Sequence, residues 1–196
     1  MSIPLSTLLL AAGNATRFGS AKQCLSLDGV SLVRRAAQAG LAVAAETVVV
    51  TGAYADEVAQ ELAGMPLTLL HNPNWEAGMG ASIACGIGYM AELARPPEAT
   101  IICLADQPLV GANQLQRLIG AHRSNPERIA ASDHGRALGP PCIFPHRYYT
   151  ELKKLTGAEG AKRLLAQYMH QLILVAMPEA SVDIDTPEDY EHLVTG

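Results

Sequence analysis

A chain of 196 residues that is 49% hydrophobic and 17% charged is ordinary globular material, long enough to bury a substantial core and too short for a separate substrate domain, so one domain over 1–196 is expected. Its 19 acidic against 14 basic residues leave a net charge of −5, which argues against broad electrostatic binding to nucleic acid but leaves room for a local cationic pocket. Cys24, Cys85, Cys103 and Cys142 form no C-x-x-C pair and read as reduced thiols. Met1-Ser2-Ile3-Pro4 has no basic segment ahead of its apolar run, and no apolar stretch approaches the ~20 residues that cross a bilayer, so a cytoplasmic protein is expected.

The elements follow in order. Residues 5–10 carry no charge on either face, as expected of a strand buried on both sides in a parallel sheet. The strand opens into the loop of 8–23, LLLAAGNATRFGSAKQ. There Ala11, Ala12 and Gly13 leave backbone N–H groups free to approach a polyphosphate, and Arg17 and Lys22 add a fork-shaped and a point charge. Neither familiar glycine loop fits. Gly13 and Gly19 are separated by five residues and Gly19 precedes Ser20, unlike a Walker loop, and Gly13-Asn14-Ala15-Thr16 lacks the dinucleotide G-x-G-x-x-G. The bland alternative is an ordinary strand-to-helix loop with two solvated cations.

Helical spacing over 31–44, a buried strand at 47–51, a short helix at 55–62 and a strand at 67–70 come next. A helix over 80–94, a strand over 100–104 and a helix over 111–122 continue the alternation. Short strand candidates lie within 129–144, helices over 147–155 and 158–168, a strand at 172–175, and a closing helix begins at Pro187. This alternation predicts an α/β fold with a mostly parallel sheet covered by helices on both faces.

Ligands of such sheets sit beyond the carboxyl ends of the strands. Asp106, just past the apolar strand, is placed to hold magnesium against nucleotide phosphates, or else is a turn aspartate ahead of Pro108. Asp183 and Asp185 lie two apart, hence on one face if extended, before a helix that Thr186 caps and Pro187 starts. The run Gly80-Ala81-Ser82-Ile83-Ala84 approximates a hydrolase nucleophile elbow, but lacks its last glycine and its preceding strand.

Leu10, Ala11, Ala12, Gly13, Arg17, Phe18, Gly19 and Lys22 match in register the signature L-A-[AG]-G-x-[ST]-x-R-[FM]-G-x-x-K, with Ala15 in place of the hydroxyl residue. The chain therefore resembles the nucleotidyltransferases related to molybdenum cofactor synthesis. The resemblance runs from Leu8 to Tyr190. It implies a single-domain, three-layer Rossmann-like nucleotidyltransferase fold. It also implies transfer of CMP from CTP to the terminal phosphate of molybdopterin cofactor, with magnesium as cofactor and a recipient molybdenum hydroxylase as a further candidate partner. By this resemblance Arg17, Lys22 and Asp106 are catalytic. Leu10 to Gly13, Thr51, Gly52, Gly80 and Ser82 join Arg17 and Lys22 around the nucleotide, Gly139, Pro140 and Pro141 face the acceptor, and Asp185 joins Asp106 as metal ligand. Ala158 stands where the family usually has an aspartate. Ala12 and the Gly19-Ser20-Ala21-Lys22 spacing favour cytosine over guanine. The alternatives are a guanylyl or other small-molecule nucleotidyltransferase, and a non-catalytic nucleotide- or cofactor-binding protein.

Overall fold

The computed structural model describes residues 4–14 and 18–195. In chain order its elements are β1 (Leu5–Ala11), β2 (Ser26–Leu27), β3 (Val30–Ser31), α1 (Leu32–Leu41), β4 (Glu46–Thr51), α2 (Ala55–Glu61), β5 (Thr68–His71) and α3 (Met79–Ala91). Then come β6 (Ala99–Leu104), α4 (Ala112–Arg123), β7 (Ala130–Asp133), β8 (Leu138–Pro145), α5 (Tyr149–Leu152), α6 (Lys162–Gln167), β9 (Ile173–Ala176) and α7 (Pro187–Thr195). The main sheet has seven strands in the order β5-β4-β1-β6-β8-β7-β9, and β2 and β3 form a separate small hairpin.

All seven residues of β1 are buried, because the strand is paired in parallel with β4 on one side and β6 on the other and covered on both faces. Its side chains alternate between two cores, as strand geometry requires. Leu5, Leu9 and Ala11 face a core with Val33 and Ala37 of α1 and Leu115 and Leu118 of α4. Leu8 and Leu10 face the opposite core with Ile83, Ile87 and Met90 of α3 and Leu164 and Leu165 of α6. Three layers result. Each fully buried leucine such as Leu8 or Leu9 contributes about 1.5 to 3 kcal/mol of transfer free energy.

From β1 the chain first builds outward through β4 and β5, then returns to place β6 on the other side. The crevice where the direction reverses, beyond the ends of β1 and β6, is where open α/β sheets hold ligands.

The weak pattern of 129–144 resolves into β7 and β8, which pair antiparallel with a register shift between Ala131 and Ser132. Pro140 and Pro141, joined by a cis peptide bond, sit in that irregularity, where the missing N–H donors break no regular ladder. The expected helices over 147–155 and 158–168 are shorter, at Tyr149–Leu152 and Lys162–Gln167. Gly157 and Gly160 adopt φ of 77° and 57°, which turns the chain before a helix can start. Among the described residues no helix is long and apolar enough to cross a membrane, and the four cysteines are free. Burial pushes the Cys24 thiol up to about 11 and the Cys103 thiol up to about 12, away from thiolate chemistry.

Candidate active site

A cleft of about 620 Å³ opens beyond β1 and β6. Leu10 to Asn14 form its floor, Leu104 to Asp106 one side, and Trp75, Gly78, Met79 and Ser82 the wall at the start of α3. Lys22, Gln23, Ala158 and Asp185 complete it. Three charged residues far apart in sequence meet at one point. Lys22 Nζ donates to Asp106 Oδ2 at 2.8 Å and to Asp185 Oδ1 at 2.7 Å. Burial works to lower the Lys22 pKa, but the Asp106 and Asp185 carboxylates together outweigh it and hold the ammonium above 10.5. Asp106 Oδ1, by contrast, is buried with no hydrogen-bond partner.

Each group is placed by its backbone. Ala105 donates its N–H to Leu10 O at 3.2 Å, extending the β1–β6 register to the residue before Asp106. Ile184 donates its N–H to Asp106 O at 3.1 Å, which brings Asp185 to the same place. Ile184 is also fully buried in a small cluster with Leu27 and Leu32, against which Phe18, Tyr190 and Leu193 pack. Asp189 Oδ2 accepts from the N–H groups of Asp185 and Thr186 at 3.0 and 2.8 Å, and Asp189 donates its own N–H to Thr186 Oγ1, a reciprocal cap that fixes the start of α7. The Thr186 hydroxyl also donates to Asp189 Oδ2 at 2.9 Å, and this bond, followed by the two backbone N–H bonds, lowers the Asp189 pKa. Asp183 lies near enough that burial and then the charges of Asp106 and Asp185 raise its pKa.

Two residues that shape the site, Gln23 and Gln107, carry almost no signal in the sequence. Gln23 is buried and donates Nε2 to Ala11 O and Gly13 O, both at 3.3 Å, clamping the glycine turn from below. Gln107 donates Nε2 to Pro140 O at 3.1 Å and Ala180 O at 2.8 Å, tying the residue after Asp106 to the Gly139-Pro140-Pro141 turn and to the segment leading to Asp185. Trp75, the one tryptophan of the chain, and Met79 give the α3 wall an apolar surface. A polar residue next to a site residue is the only hint for Gln23 and Gln107, and it is common to most loops.

The expected site residues fall into groups. Leu10, Ala11, Ala12, Gly13, Lys22, Ser82, Asp106 and Asp185 line the cleft. Ser82 is buried and accepts from Asn72 Nδ2 at 3.1 Å. Thr51, Gly52 and Gly80 lie behind the lining. A Cβ on Gly52 would stand 2.5 Å from Ala12 O and 2.7 Å from Trp75 Cβ, and one on Gly80 would stand 2.6 Å from Thr156 O, so both glycines permit close backbone packing. Gly139, Pro140 and Pro141 lie on β8, joined to the site through Gln107. Arg17 lies outside the described residues.

Residues 7–172 match the family described as the MobA-like NTP transferase domain. Purine catabolism protein PucB of Bacillus subtilis (strain 168) is 30% identical over 199 aligned residues, covering 94% of this chain and 93% of PucB. Nicotine blue oxidoreductase of Paenarthrobacter nicotinovorans is likewise 30% identical, covering 95% of each chain. Among solved structures, the homologue of Mycobacterium tuberculosis Rv0371c from Mycobacterium sp. strain JC1 superposes with a TM-score of 0.77 at 26% identity, covering 99% of this chain and 96% of that one. Rv0371c itself, solved in complex with manganese, shares the fold with a TM-score of 0.74 at 22% identity over the full length of both.

Proposed function

Since the chain belongs to the MobA-like NTP transferase family, we propose that it is a cytidylyltransferase, moving CMP from CTP to the terminal phosphate of molybdopterin cofactor and releasing pyrophosphate. The observation that carries this reading is the meeting of Lys22, Asp106 and Asp185 at the mouth of a cleft floored by the glycine turn.

The chemistry is a problem of charge. A phosphate monoester has a second pKa near ~6, so at neutral pH the acceptor is already largely a dianion and needs no general base. What the protein must do is bring two anions together and offset the charge that develops on the departing pyrophosphate. Ala12 and Gly13 line the cleft and would offer their backbone N–H groups to the phosphates, with Lys22 and Arg17 as the cations. Asp106 and Asp185 would hold magnesium, which when bound would supply positive charge to offset that of the phosphates. The residues fit this ion: hard carboxylate oxygens suit it, and Asp106 Oδ1 is buried with no other partner. The Gly139 to Pro141 turn serves the acceptor, with Gln107 holding it in register with Asp106. The proposed reaction is cytoplasmic, with a molybdenum hydroxylase as a candidate recipient of the product.

Thermal melting with CTP, GTP, ATP and UTP, each with magnesium, tests the nucleotide. A ligand that binds only the native state at a hundredfold excess over Kd adds ~2.7 kcal/mol. For a chain of this length that raises the midpoint by roughly 2 to 4 °C per kcal/mol, and CTP is expected to give the largest shift. A larger shift with GTP would transfer the assignment to guanylyl chemistry. No shift with any triphosphate would overturn the nucleotide site.

A further inference from the structure

Lys22 stands in the position that two metal-ligating carboxylates would offer a cation. Its ammonium touches Asp106 and Asp185 at once, and its side chain is only 15% exposed. A lysine carries one charge on a flexible stem, and here it satisfies one oxygen of Asp106 while the other, Oδ1, stays buried and unpartnered. A cation with two charges and a wider coordination shell would serve the pair better. It cannot enter while the ammonium remains, because two cations in contact repel strongly in a partly buried site. Removing the ammonium without replacement is also unfavourable, since Asp106 and Asp185 then face each other with Asp183 close by.

We propose that Lys22 is an internal counter-ion that blocks the cation position in the nucleotide-free protein, so that a divalent cation enters together with the triphosphate and not ahead of it. This rests on the metal assignment proposed above. Triphosphate oxygens offer the ammonium charge-assisted partners equal to those it leaves. Its stem lets it swing from the carboxylates to the phosphates without moving the backbone. Cation and triphosphate binding are then linked through one side chain, and the linkage is reciprocal. The order of binding has a chemical use: the acids are held together and their charge is partly offset before substrate arrives, and a free metal ion is kept out of a site that has nothing yet to activate.

The test is calorimetric titration of manganese chloride into the nucleotide-free, full-length protein, comparing the unaltered chain with Lys22→Met and with Lys22→Met combined with Asp106→Asn. Lys22→Met is expected to bind manganese at least about tenfold more tightly, given the strength of a charge contact in a partly buried site. Manganese should also raise its melting midpoint more than that of the unaltered chain, and adding Asp106→Asn should abolish both gains. Equal or weaker binding by Lys22→Met, still dependent on Asp106, would overturn the counter-ion role and leave the metal assignment standing. Failure of both the unaltered chain and Lys22→Met to bind manganese would overturn the two together. Should Lys22→Met not fold, Lys22→Gln, which keeps a hydrogen-bond donor without the charge, is subject to the same comparison and the same outcomes.

Discussion

Asp106→Asn is expected to leave the fold intact, with unchanged circular dichroism, while cutting the transfer rate by about 10² to 10³, the scale of losing one charge-stabilising group. An amide keeps the shape but not the anion that both Lys22 and a metal require, so a normal transfer rate would remove Asp106 from the machinery. Gly52→Ala tests packing at the same cleft. Its Cβ would meet Ala12 O at 2.5 Å and Trp75 at 2.7 Å, an overpacking that costs about 1 to 3 kcal/mol and should lower the midpoint of a denaturant melt. Thermal stability equal to the unaltered chain would show that the loop gives way freely. At this scale the sequence was legible where charge coincides with a motif: Asp106 just past β6, Lys22 in the glycine loop and Asp185 ahead of α7 were each marked, and the structure joins them. Gln23 and Gln107 were not, because their roles arise from contacts with segments distant in the chain.

Among the elements, the segment before α7 is held by the Ile184 side chain, the Ile184 N–H bond to Asp106 O, the Lys22–Asp185 ion pair and the Asp189 cap. Ile184→Ala is expected to cost about 2 to 5 kcal/mol locally, read as faster hydrogen exchange over 182–190 with β1 unchanged. Manganese binding should weaken with it, because Asp185 loses its anchor beside Asp106. Uniform exchange across the whole chain would show instead that the small cluster is part of the main core. The strands and longer helices were readable from apolar periodicity, since β1, β4 and β6 are buried on both faces and α1, α3 and α4 each present one apolar side. The region from β8 to α6 was not, because its glycines and its paired prolines act through irregular pairing and positive φ, which have no period.

For the molecule as a whole, one buried group gives stability a dependence on pH. His122 of α4 is fully buried. Its Nδ1 pairs with Arg128 O at 3.1 Å, which fixes the neutral ring with Nδ1 as donor, and its Nε2 has no partner. Burial lowers its pKa below 6.5, so the folded state disfavours the charged ring. The stability it contributes is complete above the unfolded value of ~6.5 and is lost as pH falls below that value toward the folded one. Urea melts between pH 7 and 5 should therefore show a steeper loss in the unaltered chain than in His122→Leu, and parallel curves would remove His122 as the cause. A different property of the whole chain follows from the wall of the cleft. Gly157 donates its N–H to Ala77 O at 2.8 Å and Gly80 donates to Gly157 O at 2.8 Å, so two backbone segments some eighty residues apart are laced together, closely enough that a Cβ on Gly80 would stand 2.6 Å from Thr156 O. During synthesis, β1, its glycine turn and Asp106 leave the ribosome long before residue 157 does. A nascent chain can thus pair its central strands early but has no enclosed cleft until the second segment arrives, so nucleotide affinity should emerge late and abruptly in translation, after most of the sheet has already folded.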